Sequence, residues 1–206
     1  MSSKKLKHKP FLIILSSPSG AGKTTICREV VRKDRNIGFS VSATTRPKRP
    51  GEKHGQDYFF YRPEDFATKK AQGKFIETAK VYEHFYGTLK SEVKKIFNQG
   101  KDVILDVDVQ GMKSIKRNYP NSVAIFITPS NLTELQKRLF KRNEPKAEIK
   151  KRANYLRAEL SAMPKFNYLV YNDNLKTALS DVSAIIKAER LKTKRINKNN
   201  YQPRRN

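Results

Sequence analysis

Ser17-Pro18-Ser19-Gly20-Ala21-Gly22-Lys23-Thr24 carries the most specific chemistry in this chain. Gly20 and Gly22 let the backbone turn its N–H groups inward around a phosphate, and a helix starting there adds the favourable end of its dipole. Lys23 can bring a mobile positive charge to the outer phosphates of a nucleotide, and the Thr24 hydroxyl can ligate Mg²⁺. Thr25 continues the same turn. The competing reading is a plain glycine-rich turn. An apolar strand before the segment and a helix-compatible stretch after it favour the phosphate cradle. Ser17 stands where the motif's first glycine usually falls. Serine is penalised at positive φ, so the start of the loop is expected to be altered.

A second anion site is suggested downstream. Arg46 and Arg49 lie three apart on a proline-stiffened loop, Thr45-Arg46-Pro47-Lys48-Arg49-Pro50-Gly51-Glu52. Two guanidiniums held this way suit a monophosphate, which each can grip with a planar fork. Tyr58 and Tyr86 can add hydroxyl donors. Asp106 and Asp108 are two apart at the end of an expected strand and so should face one way. In open α/β sheets that end is where ligands bind. Two carboxylates there would repel without something positive between them, Mg²⁺ or its waters. Strand-end charges facing water are the alternative.

The elements that must hold these residues follow from periodicity. Phe11–Leu15, Val103–Val107, Val123–Thr128 and Tyr168–Tyr171 read as strands. Thr24–Lys33, Ser91–Asn98, Met112–Arg117, Leu132–Arg142, Ala147–Ala162 and Leu175–Leu191 read as helices. Strands alternating with helices imply βαβ units and a parallel sheet. Only the 41–90 stretch breaks that rhythm, with strands at Phe39–Ala43, Tyr58–Tyr61 and Phe75–Val81 and a helix after Pro63. It reads as an inserted β lobe.

Composition narrows the classes. The 206 residues suit one domain with inserted lobes, and 37% hydrophobic residues suffice for a core. Lys+Arg 44 against Asp+Glu 19 gives +25, which excludes an acidic, cation-collecting protein. Residues 1–10 and 188–206 are basic, with few apolar side chains, and are expected to be mobile tails. The longest apolar run spans five residues, too short for a membrane. One cysteine, Cys27, and no signal-peptide pattern suggest a cytoplasmic protein without disulfides. No Cys or His stands at zinc-ligand spacing.

Taken together, the motifs resemble the guanylate kinase family. The likeness rests on the cradle, Thr45-Arg46-x-x-Arg49-x-Gly51-Glu52, Gly55-x-Asp57-Tyr58 and Phe75-Ile76-Glu77. It continues through Tyr86-Gly87-Thr88, Leu105-Asp106-Val107-Asp108-Val109-Gln110-Gly111 and Asn172-Asp173. The resemblance implies an α/β, P-loop NTPase fold: a parallel sheet with helices on both faces, an inserted mixed-β GMP-binding lobe and a helical lid. It also implies a 1–10 tail, a domain at 11–188 and a 189–206 tail. Within the domain the core would be 11–40, 92–130 and 164–188, the lobe 41–91 and the lid 131–163.

The activity implied is transfer of the γ-phosphoryl group of ATP to GMP, with Mg²⁺. Ser17, Pro18, Ser19, Gly20, Ala21, Gly22, Lys23, Thr24 and Thr25 would bind ATP, and Thr24 and Asp106 the metal. Arg46, Arg49, Tyr58 and Tyr86 would hold the GMP phosphate, beside Glu52. Ser42, Glu77, Thr88, Asp106 and Asp108 would surround the guanine or its approach. Physical chemistry agrees for Glu77, since a carboxylate can accept from guanine N1–H and the exocyclic amine together. Adenine offers a lone pair there, and a stranded polar group discriminates by about 10⁴–10⁵. Without its neighbours, Glu77 would read as a solvated strand carboxylate.

Lys23, Arg49, Arg138, Arg142 and Arg152 are the implied catalytic cations. Arg138 and Arg142 share a helical face, and arginines on a lid can close over phosphates and stabilise transferring charge. The family pattern is departed from at Asn143, where glycine is usual, and in a shorter connection holding Pro145. Lid closure is therefore expected to be stiffer or tilted. Rival readings are a catalytically dead peptide-binding module, a nucleic-acid-binding protein and a kinase for another monophosphate. The intact cradle argues against the first. The tails lack aromatic platforms, so nucleic-acid contact would be minor. Glu77 with Thr88 argues for guanine. Use of dGMP and a homo-oligomer stay open.

Overall fold

Phe11–Leu15 is apolar without a break, and such a strand must be covered on both faces. In the computed structural model, which describes residues 8–18, 20–131, 133, 135 and 156–196, it is the middle of a sheet. The first half of the chain runs β1 (Leu12–Ser16), α1 (Lys23–Lys33), β2 (Ile37–Phe39), β3 (Ser42–Thr44), β4 (Phe59–Phe60), α2 (Pro63–Ala71), β5 (Phe75–Val81) and β6 (His84–Leu89). There follow α3 (Lys90–Asn98), β7 (Asp102–Asp106), α4 (Val109–Asn118), β8 (Val123–Thr128), β9 (Tyr168–Tyr171) and α5 (Leu175–Arg190).

Five strands pair in parallel in the order β2-β7-β1-β8-β9. Alternate residues of β1 enter different cores. Ile13 and Leu15 pack with Ile26 and Val30 of α1 and Val182 and Ile186 of α5. Leu12 and Ile14 pack with Val93 and Ile96 of α3 and Met112 and Ile115 of α4. The α/β architecture expected from the alternation of strands and helices is therefore present, with helices on both faces.

The second sheet is mixed, in the order β4-β3-β6-β5, with β3 and β4 parallel and the other pairs antiparallel. Its own core joins Ala43, Phe66, Phe75 and Leu89, and the Phe66 ring stacks on Phe75 at 4.6 Å. Two expectations change here. The run Phe39–Ala43 is not one strand but two, β2 in the parallel sheet and β3 in the mixed one. Ser40 N still donates to Ile104 O at 3.1 Å, after which the chain crosses to pair Ser42 with Thr88. Alternating polarity looks the same whether a chain serves one core or crosses between two. The strand β6 has no counterpart in the sequence reading, because Tyr82 and Glu83 at the hairpin tip are not turn-forming types. Tyr82 occupies the left-handed region at φ 54.

Of the lid helices expected at Leu132–Arg142 and Ala147–Ala162, most lies outside the described residues. Within those, Leu135 and Leu156 are buried against Ala21, with Leu160 beside them.

The basic segment that begins at 188 is not a solvated tail as far as 196. Glu189, 2% exposed, accepts from Tyr168 Oη at 2.6 Å and pairs with Lys192 at 2.5 Å and Arg195 at 3.0 Å. The Arg195 guanidinium lies 3.9 Å from the centre of the Phe11 ring. Arg190 bridges Asp34 and buried Asp102, which His8 also reaches at 2.9 Å. Charge counting sees only the cations; it does not see that the fold sets Arg190, Lys192 and Arg195 against Asp34, Asp102 and Glu189. Among the described residues, no helix is long and apolar enough to cross a membrane.

Candidate active site

The cradle lies between the C-terminal end of β1 and the start of α1. Gly20 and Gly22 take φ of 84° and 85°, and Gly22 is the N-cap of α1. That left-handed geometry is open to glycine and costly for other residues. Ser17 does not share it, since Tyr82 is the sole non-glycine residue at positive φ among those described. Its buried hydroxyl instead donates to Pro18 O at 3.0 Å, so the expected penalty for serine does not arise. Ala21 N donates to Pro18 O at 3.2 Å. Ser19 lies outside the described residues.

Lys23 and Thr24 both reach the end of β7. Lys23 Nζ lies 2.6 Å from Asp106 Oδ1 and donates to Val107 O at 3.0 Å. Thr24 Oγ1 donates to Asp106 Oδ2 at 2.8 Å. Burial works against the Lys23 charge, but the Asp106 carboxylate outweighs it and the amine pKa is raised. Asp106 thus holds the cradle's cation ready at the sheet edge. Asp108 does not sit beside it on the strand as its spacing suggested, because β7 ends at Asp106. Asp108 is the N-cap of α4 and accepts from Gly111 N at 2.8 Å. Its charge meets a helix N-terminus, a different relief from the shared cation expected.

The mixed sheet builds the other wall. Cross-strand pairing puts Ser42, Thr88 and Glu77 in one row over β3, β6 and β5. A bulge at Ile76 sets that row, since Phe75 pairs with Leu89 while Glu77 pairs with Thr88. Without the extra residue Glu77 would oppose Gly87 and turn to the other face. Thr88 Oγ1 donates to Glu77 Oε1 at 2.7 Å. Burial is the main reason the Glu77 carboxyl is pushed up to about 7; the Asp108 charge adds to it and the Thr88 hydrogen bond opposes it. A Cβ on Gly111 would come within 2.9 Å of Glu77 Oε2, so glycine at 111 lets α4 approach the carboxylate.

Glu52 organises the arginine loop. Its Oε1 takes Arg46 Nη2 at 2.7 Å, and its Oε2 accepts from Arg49 N at 2.8 Å. The Arg46 guanidinium also sits 5.5 Å from the centre of the Tyr58 ring. Glu52 is therefore a brace for the Arg46 guanidinium and the Arg49 backbone. Arg46, Arg49, Tyr58 and Tyr86 line one recess of about 260 Å³. Burial, then the Asp106 charge, pushes the Tyr58 phenol up to about 12, which keeps it a neutral donor.

A cavity of about 660 Å³ joins the cradle to the mixed sheet; Lys23, Thr24, Thr25, Glu77, Asp106 and Asp108 all line it. The sequence-derived candidates among the described residues thus line two adjoining recesses, which share Thr24, Ser42, Tyr58, Tyr86 and Asp106, with Thr88 buried behind Glu77. Arg138, Arg142 and Arg152 lie outside the described residues. One residue whose role the sequence reading left unassigned is Asn172, at the end of β9, whose amide donates to Ala21 O at 2.7 Å. Its position at the ligand edge of the last strand was the available signal.

A parallel sheet with a glycine cradle and strand-edge carboxylate, opposite a polar pocket on an inserted sheet, defines a P-loop phosphotransferase with two ligand compartments. The family model described as guanylate kinase matches residues 9–189. A guanylate kinase of Thermotoga maritima is 45% identical over 185 residues, covering 89% of each chain. One of Carboxydothermus hydrogenoformans is 42% identical over 92% of this chain and 94% of its own. The crystal structure of guanylate kinase from Anaplasma phagocytophilum superposes with a TM-score of 0.76 at 31% identity, covering 93% of this chain and 92% of that one. This chain belongs to the guanylate kinase family, and it is an enzyme.

Proposed function

We propose that the protein transfers the γ-phosphoryl group of ATP to GMP, giving ADP and GDP. The observation that carries this reading is the single cleft lined at one end by Lys23 and Thr24 and at the other by Glu77, backed by Thr88. The cradle's inward N–H groups and Lys23 would hold the triphosphate, with Lys23 moving from Asp106 to the outer phosphates. Arg46 and Arg49, braced by Glu52, would hold the GMP phosphate with the Tyr58 and Tyr86 hydroxyls. Glu77, ionised on binding, would accept from guanine N1–H and the exocyclic amine. Thr88 would then turn toward guanine O6, with Ser42 and Asp108 flanking the base.

Thr24 and Asp106 offer adjacent hard oxygen donors, which fit Mg²⁺ held largely by water and substrate phosphates. When bound, the ion would supply positive charge against the negative charge that develops on transfer. Arg138, Arg142 and Arg152 are assigned to the transferring group by the family likeness. Such transfer needs positioning and charge stabilisation and little covalent work from the protein, so no general base is invoked. The single thiol, Cys27, is buried and unpaired, in keeping with a reducing compartment such as the cytoplasm.

The test is an assay of ATP and Mg²⁺ with GMP, AMP, UMP and CMP in turn. GMP should be turned over far faster than the others; equal rates with AMP would overturn the reading.

A further inference from the structure

Ala21, in the middle of the cradle, is gripped from three sides. Its methyl group is fully buried against Leu135 and Leu156, with Leu160 packed beside them. Its N–H donates to Pro18 O at 3.2 Å, within the loop. Its carbonyl accepts the Asn172 amide, Nδ2 to O 2.7 Å, from a residue 151 positions further along the chain. Asn172 is itself only 8% exposed and tied down, since its backbone N donates to Thr128 O at 2.9 Å where β9 pairs with β8. The same Nδ2 would be 2.6 Å from a Cβ at position 22. Gly22 is thus required twice over, for its positive φ and for the amide lying against it.

We propose that Asn172 is a positioning residue for the triphosphate cradle. It holds the Ala21 carbonyl outward, so that the Ala21–Gly22 peptide keeps the orientation in which the loop's N–H groups point at phosphate. A carbonyl released from that bond is free to rotate toward the bound anion, where it would repel. The apolar grip of Leu135, Leu156 and Leu160 on the Ala21 methyl ties the same peptide to those side chains, which come from the chain between β8 and β9. Cradle geometry and the packing of that segment are therefore coupled through one residue. This inference rests on reading residues 17–25 as the ATP site.

The experiment uses the full chain with two near-isosteric substitutions, Asn172→Asp, which replaces the donor with an acceptor, and Asn172→Leu, which removes it. Asn174→Ala is the control; that side chain caps α5 by accepting from Lys176 N and Thr177 N and touches no cradle atom in those bonds. Calorimetry would measure Kd for ATP, inorganic tripolyphosphate and GMP. Both Asn172 variants should weaken ATP and tripolyphosphate about tenfold or more, with GMP within about twofold, while the control moves none of them. If Asn172→Asp does not fold, Asn172→Leu alone decides.

Loss of ATP affinity with tripolyphosphate unchanged would mean direct contact with the nucleoside and would overturn the proposal, as would unchanged binding of both. Lys23→Ala separates the underlying reading. If it leaves ATP and tripolyphosphate binding intact, residues 17–25 are not the ATP site. If it weakens both while the Asn172 variants do not, only the positioning role fails.

Discussion

Glu77 and Thr88 oppose each other on β5 and β6, with the Thr88 hydroxyl donating to Glu77 Oε1 at 2.7 Å. The pair is almost dry, with Glu77 5% exposed and Thr88 fully buried. One hydroxyl does not replace the water an ionised carboxylate loses, so burial dominates and the pKa rises to about 7. Guanine would bring two donors to the ionised form. Binding of the base should therefore expel a proton.

The sign of the resulting pH dependence is definite. Below about 7 the unliganded carboxyl is protonated, and binding must first remove that proton. Guanosine affinity should fall by up to about tenfold per pH unit as pH drops below 7, and level off above it. Guanosine is the probe because the GMP phosphate titrates in the same range. Titration calorimetry in buffers of different ionisation enthalpy would count the proton. The folded-state pKa is raised, so the unliganded protein should also lose stability as pH rises from the ordinary carboxylate range to 7. Glu77→Gln should flatten both profiles; a wild-type slope in that variant would contradict the assignment.

Base selectivity should depend on the same side chain. Glu77→Gln leaves one acceptor and adds a donor that meets guanine N1–H or its amine head-on. The ratio of kcat/KM for GMP over AMP should fall by at least about 10², within the range that buried polar mismatch supplies. Steady-state assays of both substrates decide it, and an unchanged ratio would rule it out.

Gly111→Ala should separate stability from binding. Alanine gains up to about 1 kcal/mol over glycine inside a helix. That offsets part of the crowding of its Cβ against Val107 Cβ at 3.2 Å and Asp108 Oδ1 at 3.3 Å. The melting temperature should therefore move by only a few degrees. The added methyl, however, falls 2.9 Å from Glu77 Oε2, and the carboxylate must move. KM for GMP should rise about tenfold while KM for ATP stays put. A variant that melts far lower and binds GMP normally would refute this.

Lys23→Ala removes the cation at the triphosphate end and leaves the guanine wall intact. Turnover in a coupled ADP assay should fall by about 10²–10³, while GMP Kd changes little. Unchanged turnover would mean that the Asp106-bound amine has no part in transfer.

Glu189 tests the C-terminal segment. Glu189→Ala removes the carboxylate partner of Arg195, itself 6% exposed, and leaves its guanidinium the Asn121 carbonyl and the Phe11 ring. Breaking a buried pair costs about 3–5 kcal/mol, equivalent to roughly 10 °C at this size. Differential scanning calorimetry should register that loss, with kcat unaltered at temperatures where the variant is folded. A melting temperature within about 2 °C of wild type would return residues 189–196 to the status of a tail.

What could be read from the chain alone was what is local. The cradle is contiguous, its glycines declare their own φ, and strand before and helix after it follow from adjacent side chains. Arg46, Arg49 and Glu52 share one short loop, so their association was legible too. Resemblance joined Glu77 to Thr88, but the bulge at Ile76 that makes them neighbours leaves no mark in composition. The tip at Tyr82 and Glu83 hid β6, and the crossing after Ser40 hid the division into two sheets. Asn172 against Ala21, Glu189 against Arg195 and Asp102 against His8 and Arg190 were settled only by tertiary structure. Hydrophobic periodicity encodes which face of an element is buried. It is silent on which distant polar atom will be waiting there, because that depends on how independently folded segments close on one another.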